Sequence, residues 1–248
     1  MYTKKEYHCK GLIEVEMYRS GNYGAPGRKR AKKKKATPDE IRAANERTAK
    51  KKLRRLINTN FEQGDIHLIL TYKKELRPTP EESRKIIRNF RDKLARRYKS
   101  HGKVFKWILV TEYKNKAIHH HMIVNSPDGY DPSKDIAAIW TRGRPKETRL
   151  DDSGNYSQLA DYLIKETEKT FREEESPMKA RYSHSRNLKE PKVRKKTIRA
   201  KSWGKISIPK GYVLLPETFY EGINPVTGFL YREYVVKKLV EKKKRGSG

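Results

Sequence analysis

Three consecutive histidines, His119 to His121, are the residues of this chain best suited to bind a metal ion. Neighbouring side chains of a β-strand point to opposite faces, so His119 and His121 would share one face and His120 would point to the other. Two imidazoles on one face can chelate a divalent ion. We expect Mn²⁺, which histidine ligation suits well, or Mg²⁺, which is the abundant candidate in cells.

A third ligand, Glu112, is expected from the neighbouring strand. If the turn between the two strands is the two residues Asn115-Lys116, Glu112 lies directly opposite His119 and on the same face. A turn of odd length would shift this register, although a β-bulge could restore it. Because the chain has seven histidines, a partly exposed histidine cluster without a metal is the alternative interpretation.

Tyr162 and Lys165 form a second candidate pair. Positions three apart share a helix face, so the two side chains would project together. A tyrosine hydroxyl has an ordinary pKa of ~10, so its attack on a phosphate needs help. A metal at the histidines could polarise that phosphate, and Lys165 could stabilise developing charge. A tyrosine beside a lysine is also common on a purely structural amphipathic helix. Tyr156 is the rival nucleophile, but it falls on a different part of the helix or before it.

The elements that must position these residues follow one another as strand, helix, strand, strand, helix, helix. Apolar runs and alternation predict strands at 12–18, 66–72, 103–113 and 118–125, with weaker strand-like stretches in 206–215. Capping signals and helical spacing predict helices at 37–56, 79–98, 131–140, 155–171 and 233–244. This order predicts an α+β fold with a central antiparallel sheet of about five strands, flanked by helices.

The charge of the chain indicates a polyanionic partner. Sixty Lys and Arg against thirty Asp and Glu leave a net charge of +30, and phosphates reward clustered cations through counterion release. A purely structural nucleic-acid binder would show the same excess, so charge alone names no activity. Cys9 is the only cysteine, which excludes an intramolecular disulfide and a cysteine-based zinc site.

No apolar stretch approaches the ~18–20 residues that a membrane span needs. The first residues also lack the apolar segment of a secretory signal. We therefore expect a soluble, cytoplasmic protein with no membrane partner.

Together, a strand at 68–72, then Glu112 with the three histidines, then Tyr162-x-x-Lys165, resembles the HUH endonucleases, whose three motifs come in this order. Within that class the chain is similar to the single-tyrosine replication initiator (Rep) proteins of phages and plasmids. His120 departs from the family, which usually has a bulky apolar residue there, and we expect it to point to the core or to pair with a polar group. Weaker likeness lies in Asn60-Phe61, Leu70-Thr71-Tyr72, Ser185-Arg186-Asn187-Leu188 and Pro209-Lys210-Gly211-Tyr212.

The resemblance implies a sequence- or structure-specific endonuclease and ligase for single-stranded DNA. Tyr162 would nick an origin, remain attached as a 5′-phosphotyrosine and release a 3′-hydroxyl that primes rolling-circle replication. The partners would be single-stranded or hairpin origin DNA and a host polymerase. A host helicase would also be needed, because the chain has no nucleotide-binding glycine-rich loop ending in Gly-Lys-Ser/Thr.

The expected domain organisation is a nuclease core at 61–172 between basic extensions at 1–60 and 173–248. The cations expected to bind DNA are Arg28, Lys29, Arg30, Lys51, Arg54, Arg55, Arg186, Arg194, Lys195 and Lys196.

Two other functions remain open. A mobilisation relaxase or a single-tyrosine transposase would share the chemistry, but relaxases usually carry the tyrosine ahead of the histidines, and transposases of this type are usually shorter. A non-catalytic basic nucleic-acid-binding protein is the other alternative. It predicts that Tyr162→Phe leaves every measurable activity intact.

Overall fold

The computed structural model describes residues 1–19, 37–113, 117–167, 180–200, 202–223 and 229–239. Its strands are β1 (Tyr2–His8), β2 (Leu12–Tyr18), β3 (Ile66–Thr71), β4 (Trp107–Glu112), β5 (His119–Val124), β6 (Pro145–Arg149), β7 (Ser183–His184), β8 (Lys192–Ile198), β9 (Tyr212–Ile223) and β10 (Leu230–Lys238). Its α-helices are α1 (Pro38–Asn60), α2 (Pro80–Ser100), α3 (Ser133–Ile139) and α4 (Ser157–Thr167).

The strands pair into two antiparallel five-stranded sheets, so the predicted α+β class is confirmed. The chain divides into two compact units, one of residues 48–189 and one of residues 1–47 with 190–248. Among the described residues, no helix combines the length and the apolar character needed to cross a membrane.

The sheet of unit 48–189 has the strand order β6-β3-β5-β4-β7 and carries helices on both faces. One face packs against α2 and α3 through a cluster that includes Leu68, Met122 and Leu94. The other packs against α1 and α4 through a cluster that includes Ile123 and Leu163. Because both faces are covered, its central strands read as apolar runs more than as alternating patterns.

Two of the predicted helix starts have the expected capping geometry. The backbone N–H of Thr79 donates to the Glu82 carboxylate (2.9 Å), and the Glu82 N–H donates to Thr79 Oγ1 (3.2 Å). Thr37 and Glu40 form the same reciprocal pair at the start of α1. Such capping boxes satisfy backbone donors that the first helical turn leaves without intrahelical partners. α1 runs to Asn60, beyond the predicted end at 56.

The sheet of the other unit has the order β8-β1-β2-β10-β9. As the alternation of 12–18 predicts, Ile13, Val15 and Met17 lie in one apolar cluster, which also contains Tyr234 and Val236. The helix predicted at 233–244 is wrong, because residues up to Lys238 form β10. Aromatic and β-branched residues favour a strand there, and β10 pairs with β2 on one side and β9 on the other. Residues 240–244 lie outside the described residues.

Candidate metal centre and tyrosine

Glu112, His119 and His121 come together on one face of the sheet of unit 48–189. Glu112 pairs directly with His119 across β4 and β5, the pairing that a two-residue turn would give. The turn residues 114–116 themselves lie outside the described residues. One ligand atom from each of the three side chains lies within 4.8 Å of the others, and His119 Nε2 lies 3.1 Å from Glu112 Oε2. This group could hold a metal ion.

The Nδ1 atoms of His119 and His121 each lie within hydrogen-bond distance of a neighbouring residue. His119 Nδ1 lies 2.8 Å from the carbonyl oxygen of Ala117. His121 Nδ1 lies 3.2 Å from His67 Nε2, and the two rings are stacked. Metal-binding histidines in proteins are commonly oriented in this way, with the other ring nitrogen donating to a fixed partner. Nε2 is then the ring atom that a metal would bind, so the donor set fits a divalent ion.

His67 is a site residue that sequence reasoning missed. Burial, and then the positive charge of Lys146, lowers the pKa of His67 to about 4, so its ring is neutral at pH 7. The neutral ring can accept a hydrogen bond from His121 and fix the orientation of that ligand. Alternation along β3 places His67 on the same face as Ile69, which pairs with His121. That relation is visible only once β3 is known to lie beside β5.

His120 points to the opposite face, where its side chain is fully buried. Its Nε2 lies 2.8 Å from the Tyr72 hydroxyl, and its Nδ1 lies 2.8 Å from Thr111 Oγ1. Burial lowers the pKa of His120 to about 3, so the ring is neutral at pH 7. It therefore points to the core and pairs with polar groups, the two behaviours expected of it. With both nitrogens engaged on the far face, His120 cannot join Glu112 as a metal ligand.

Tyr162 on α4 lies against the metal-binding group. The centroid of its ring is 5.3 Å from that of His121, and the two rings are nearly perpendicular, at 87°. The buried residues Ala160, Leu163 and Ile164 anchor α4 in the apolar cluster on this face of the sheet. The Tyr162 side chain is 40% exposed. It is thus in contact with both the metal-binding group and solvent.

The other two residues weighed for this helix lie in different environments. Lys165 is exposed on the next turn of α4. Tyr156 is buried, and its hydroxyl donates to the carbonyl oxygen of Asp151 at 3.0 Å. Burial raises the pKa of Tyr156 to about 12. These contacts make Tyr156 a core residue and leave Tyr162 as the tyrosine at the site.

The cations expected to bind DNA are distributed over several elements. Lys51, Arg54 and Arg55 lie partly buried on α1, and Arg186 is exposed just after β7. Arg194, Lys195 and Lys196 are exposed on β8, an edge strand of the sheet of the other unit. Arg28, Lys29 and Arg30 lie outside the described residues. For all ten cations, DNA contact stays a prediction.

Two of the weaker sequence motifs, the one that begins at Asn60 and the one that begins at Ser185, have a structural role. The Asn60 side chain donates to the carbonyl oxygen of Lys189 (2.8 Å) and accepts from the Lys189 N–H (2.8 Å). Close by in sequence, Ser185 Oγ accepts from the Trp107 N–H (3.1 Å). These bonds tie the segment after β7 to the end of α1 and to β4, and so support the strand that carries Glu112.

One family model matches the part of the chain that contains this site. Residues 65–171 match the family model of the replication-associated protein ORF2. Searches of curated proteins and of solved structures gave no match. The matched region begins just before β3 and ends beyond α4, so it contains Glu112, His119, His121 and Tyr162. This part of the chain is similar to replication-associated proteins, and the match supports a Rep-like role in the initiation of DNA replication.

Proposed function

We propose that the protein is a metal-dependent DNA nicking and joining enzyme of the HUH type, and that it initiates rolling-circle replication with Tyr162 as its single nucleophile. The observation that carries this proposal is the contact of Tyr162 with His121 at the group formed by Glu112, His119 and His121. A purely structural tyrosine at the edge of α4 would have no reason to lie against a potential metal ligand. The family match over the same region supports the proposal.

The metal, Mn²⁺ or Mg²⁺, would be held by Glu112, His119 and His121 and would supply Lewis-acid polarisation of the scissile phosphate. Tyr162 Oη attacks the phosphorus and loses its proton. The bond from phosphorus to the 3′-oxygen breaks, and that oxygen takes up a proton. The products are a 5′-phosphotyrosine and a free 3′-hydroxyl. Because one phosphodiester replaces another, a 3′-hydroxyl can reverse the step and rejoin the strand.

The remaining predicted roles extend the proposal. Lys165, one turn after Tyr162, would stabilise charge on the phosphate once DNA is bound. The basic segments on both sides of the 61–172 core would bind single-stranded or hairpin origin DNA. A host polymerase would extend the free 3′-hydroxyl, and a host helicase would open the duplex.

The test is covalent adduct formation. The protein is incubated with labelled single-stranded or hairpin DNA and Mn²⁺, and the products are separated on a denaturing gel. We expect a protein–DNA adduct that disappears in Tyr162→Phe and when the metal is chelated.

Tyr156→Phe is the matched control, because it removes a hydroxyl from the same region without touching the metal-binding group. It should still form the adduct. A wild-type protein that binds these DNAs but forms no adduct would instead be a non-catalytic nucleic-acid-binding protein. An adduct that survives in Tyr162→Phe would assign the nucleophile to another residue.

A further inference from the structure

His119 and His121 on β5 each belong to a row of neighbouring residues that crosses β3 toward β6, the edge strand of the sheet. Each row ends in a cation. In one row, His121 pairs with Ile69 on β3, and Ile69 pairs with Lys146 on β6. In the other row, His119 pairs with Thr71, whose hydroxyl donates to the carbonyl oxygen of Arg144, the residue directly before β6 (3.2 Å).

Register places these cations on the face that carries the metal-binding group. Directly paired residues of an antiparallel sheet point to the same face, so Lys146 shares the face of His121. Arg144 directly precedes β6, and its carbonyl oxygen accepts from Thr71, whose side chain points to the face of His119 because the two residues pair directly. Neighbouring strands lie about 4.8 Å apart, so the backbone of β6 is about 10 Å from that of β5.

Arg144 and Lys146 are exposed and available to an outside partner. β6 is the edge strand of this sheet, next to β3, and both side chains are exposed. Among the described residues, neither forms an ion pair. Arg149 at the end of β6 differs, since it donates to Asp131 (2.8 Å) and to Ser126 (3.0 Å). Arg149 therefore holds the fold, whereas the two cations at the other end of β6 do not.

We propose that Arg144 and Lys146 bind phosphates of the DNA strand adjacent to the scissile phosphate. The DNA strand would then run from the metal-binding group across β3 and leave the protein at the sheet edge formed by β6. On the stretch of these rows between β5 and the cations lie Ile69 and Thr71, both without charge, so no carboxylate on that described stretch repels the phosphates. This inference rests on the proposed function, because it assumes that single-stranded DNA is the molecule held at the metal.

The test compares two double variants with equal loss of charge. Binding of a short fluorescent single-stranded oligonucleotide is measured by anisotropy over a range of salt concentrations, with Mn²⁺ and in the Tyr162→Phe protein. Arg144→Ala with Lys146→Ala should flatten the slope of log affinity against log salt by ~1.4, since each lost contact with a single strand contributes ~0.7. The control is Arg88→Ala with Lys85→Ala, two exposed cations on α2, which packs on the other face of the sheet.

The control should leave the slope within error of the parent protein. Equal flattening by both double variants, or by neither, would overturn the proposed path. If the wild type forms no adduct but the slope difference remains, the proposed function fails and the phosphate-binding edge stands. If the adduct forms and the slope is unchanged, the edge fails and the proposed function stands.

Discussion

Substitution of His120 tests how much its two buried hydrogen bonds stabilise the core beneath the metal ligands His119 and His121. His120→Leu keeps the volume and the apolar surroundings near Trp140, but it removes both ring nitrogens. The hydroxyls of Tyr72 and Thr111, each 2.8 Å from a ring nitrogen, would lose that partner inside the core. Leaving a buried polar group without a partner costs about 1–3 kcal/mol.

For two such hydroxyls, partly offset by burial of an apolar side chain, we expect a loss of about 3 kcal/mol in the free energy of unfolding. At about 2–4 °C per kcal/mol for a chain of this size, the melting temperature should fall by about 6–12 °C. The triple variant that adds Tyr72→Phe and Thr111→Val removes the orphaned groups as well. It should recover to within about 1 kcal/mol of the parent, since an apolar replacement of all partners is nearly neutral.

The assay is thermal unfolding followed by tryptophan fluorescence. A Trp203→Phe background confines the signal to unit 48–189, because the other two tryptophans, Trp107 and Trp140, lie there. If His120→Leu melts with the parent, the two hydrogen bonds do not stabilise the core. If the triple variant is as unstable as the single one, the loss comes from shape and not from hydrogen bonding.

The same variant makes a prediction about acid. The pKa of His120 is about 3 in the folded protein and 6.5 in the unfolded chain. Between these two pH values His120 is protonated in the unfolded chain but stays neutral in the folded protein. Acidification below pH 6.5 therefore lowers the free energy of unfolding of the parent by up to ~1.4 kcal/mol per pH unit. His120→Leu lacks this term. Its deficit against the parent should therefore shrink from about 3 kcal/mol at pH 7 to about 1 kcal/mol at pH 5, in metal-free buffer.

Two further predictions concern the metal and the loop before β6. Glu112→Gln should weaken Mn²⁺ binding by calorimetry more than about tenfold, while the exposed Glu75→Gln leaves it unchanged; equal affinities would remove Glu112 from the ligand set. Gly143→Ala would bring a Cβ to 2.1 Å from the Thr71 carbonyl oxygen, so it should cost more than about 2 kcal/mol in unfolding free energy. Gly154→Ala, at φ +64° with no atom within 4 Å, should cost only about 1 kcal/mol, and equal losses would contradict the close packing at Gly143.

The part of the site that sequence could predict depends on local geometry. Alternation along one strand separates His120 from His119 and His121 whatever the rest of the fold does, because the strand period is two. The pairing of Glu112 with His119 needs only one hairpin, and it is the pairing found. Helical spacing likewise places Tyr162 apart from the buried Leu163.

The parts that sequence missed depend on which strands become neighbours. His67 is 54 residues from His121, and nothing in either segment says that β3 lies beside β5. β8 carries exposed side chains along nearly its whole length, so it has no apolar alternation to reveal it. The lysines that follow Val236 are typical of a basic helix end, whereas the pairing of β10 with β2 and β9, which makes it a strand, is formed only in the folded sheet.

The run of three histidines also ties metal binding to correct assembly of the sheet. If β5 slipped by one residue, His120 alone would reach the face of Glu112, and His119 and His121 would turn into the apolar cluster that holds Leu68 and Met122. The hydroxyls of Tyr72 and Thr111 supply hydrogen-bond partners for one imidazole in this cluster. A second imidazole would be buried without partners, at a cost of about 1–3 kcal/mol for each polar group left unpaired. The misaligned chain would thus lose core stability and its second imidazole ligand together. Metal affinity can therefore serve as a direct reporter of strand register during refolding.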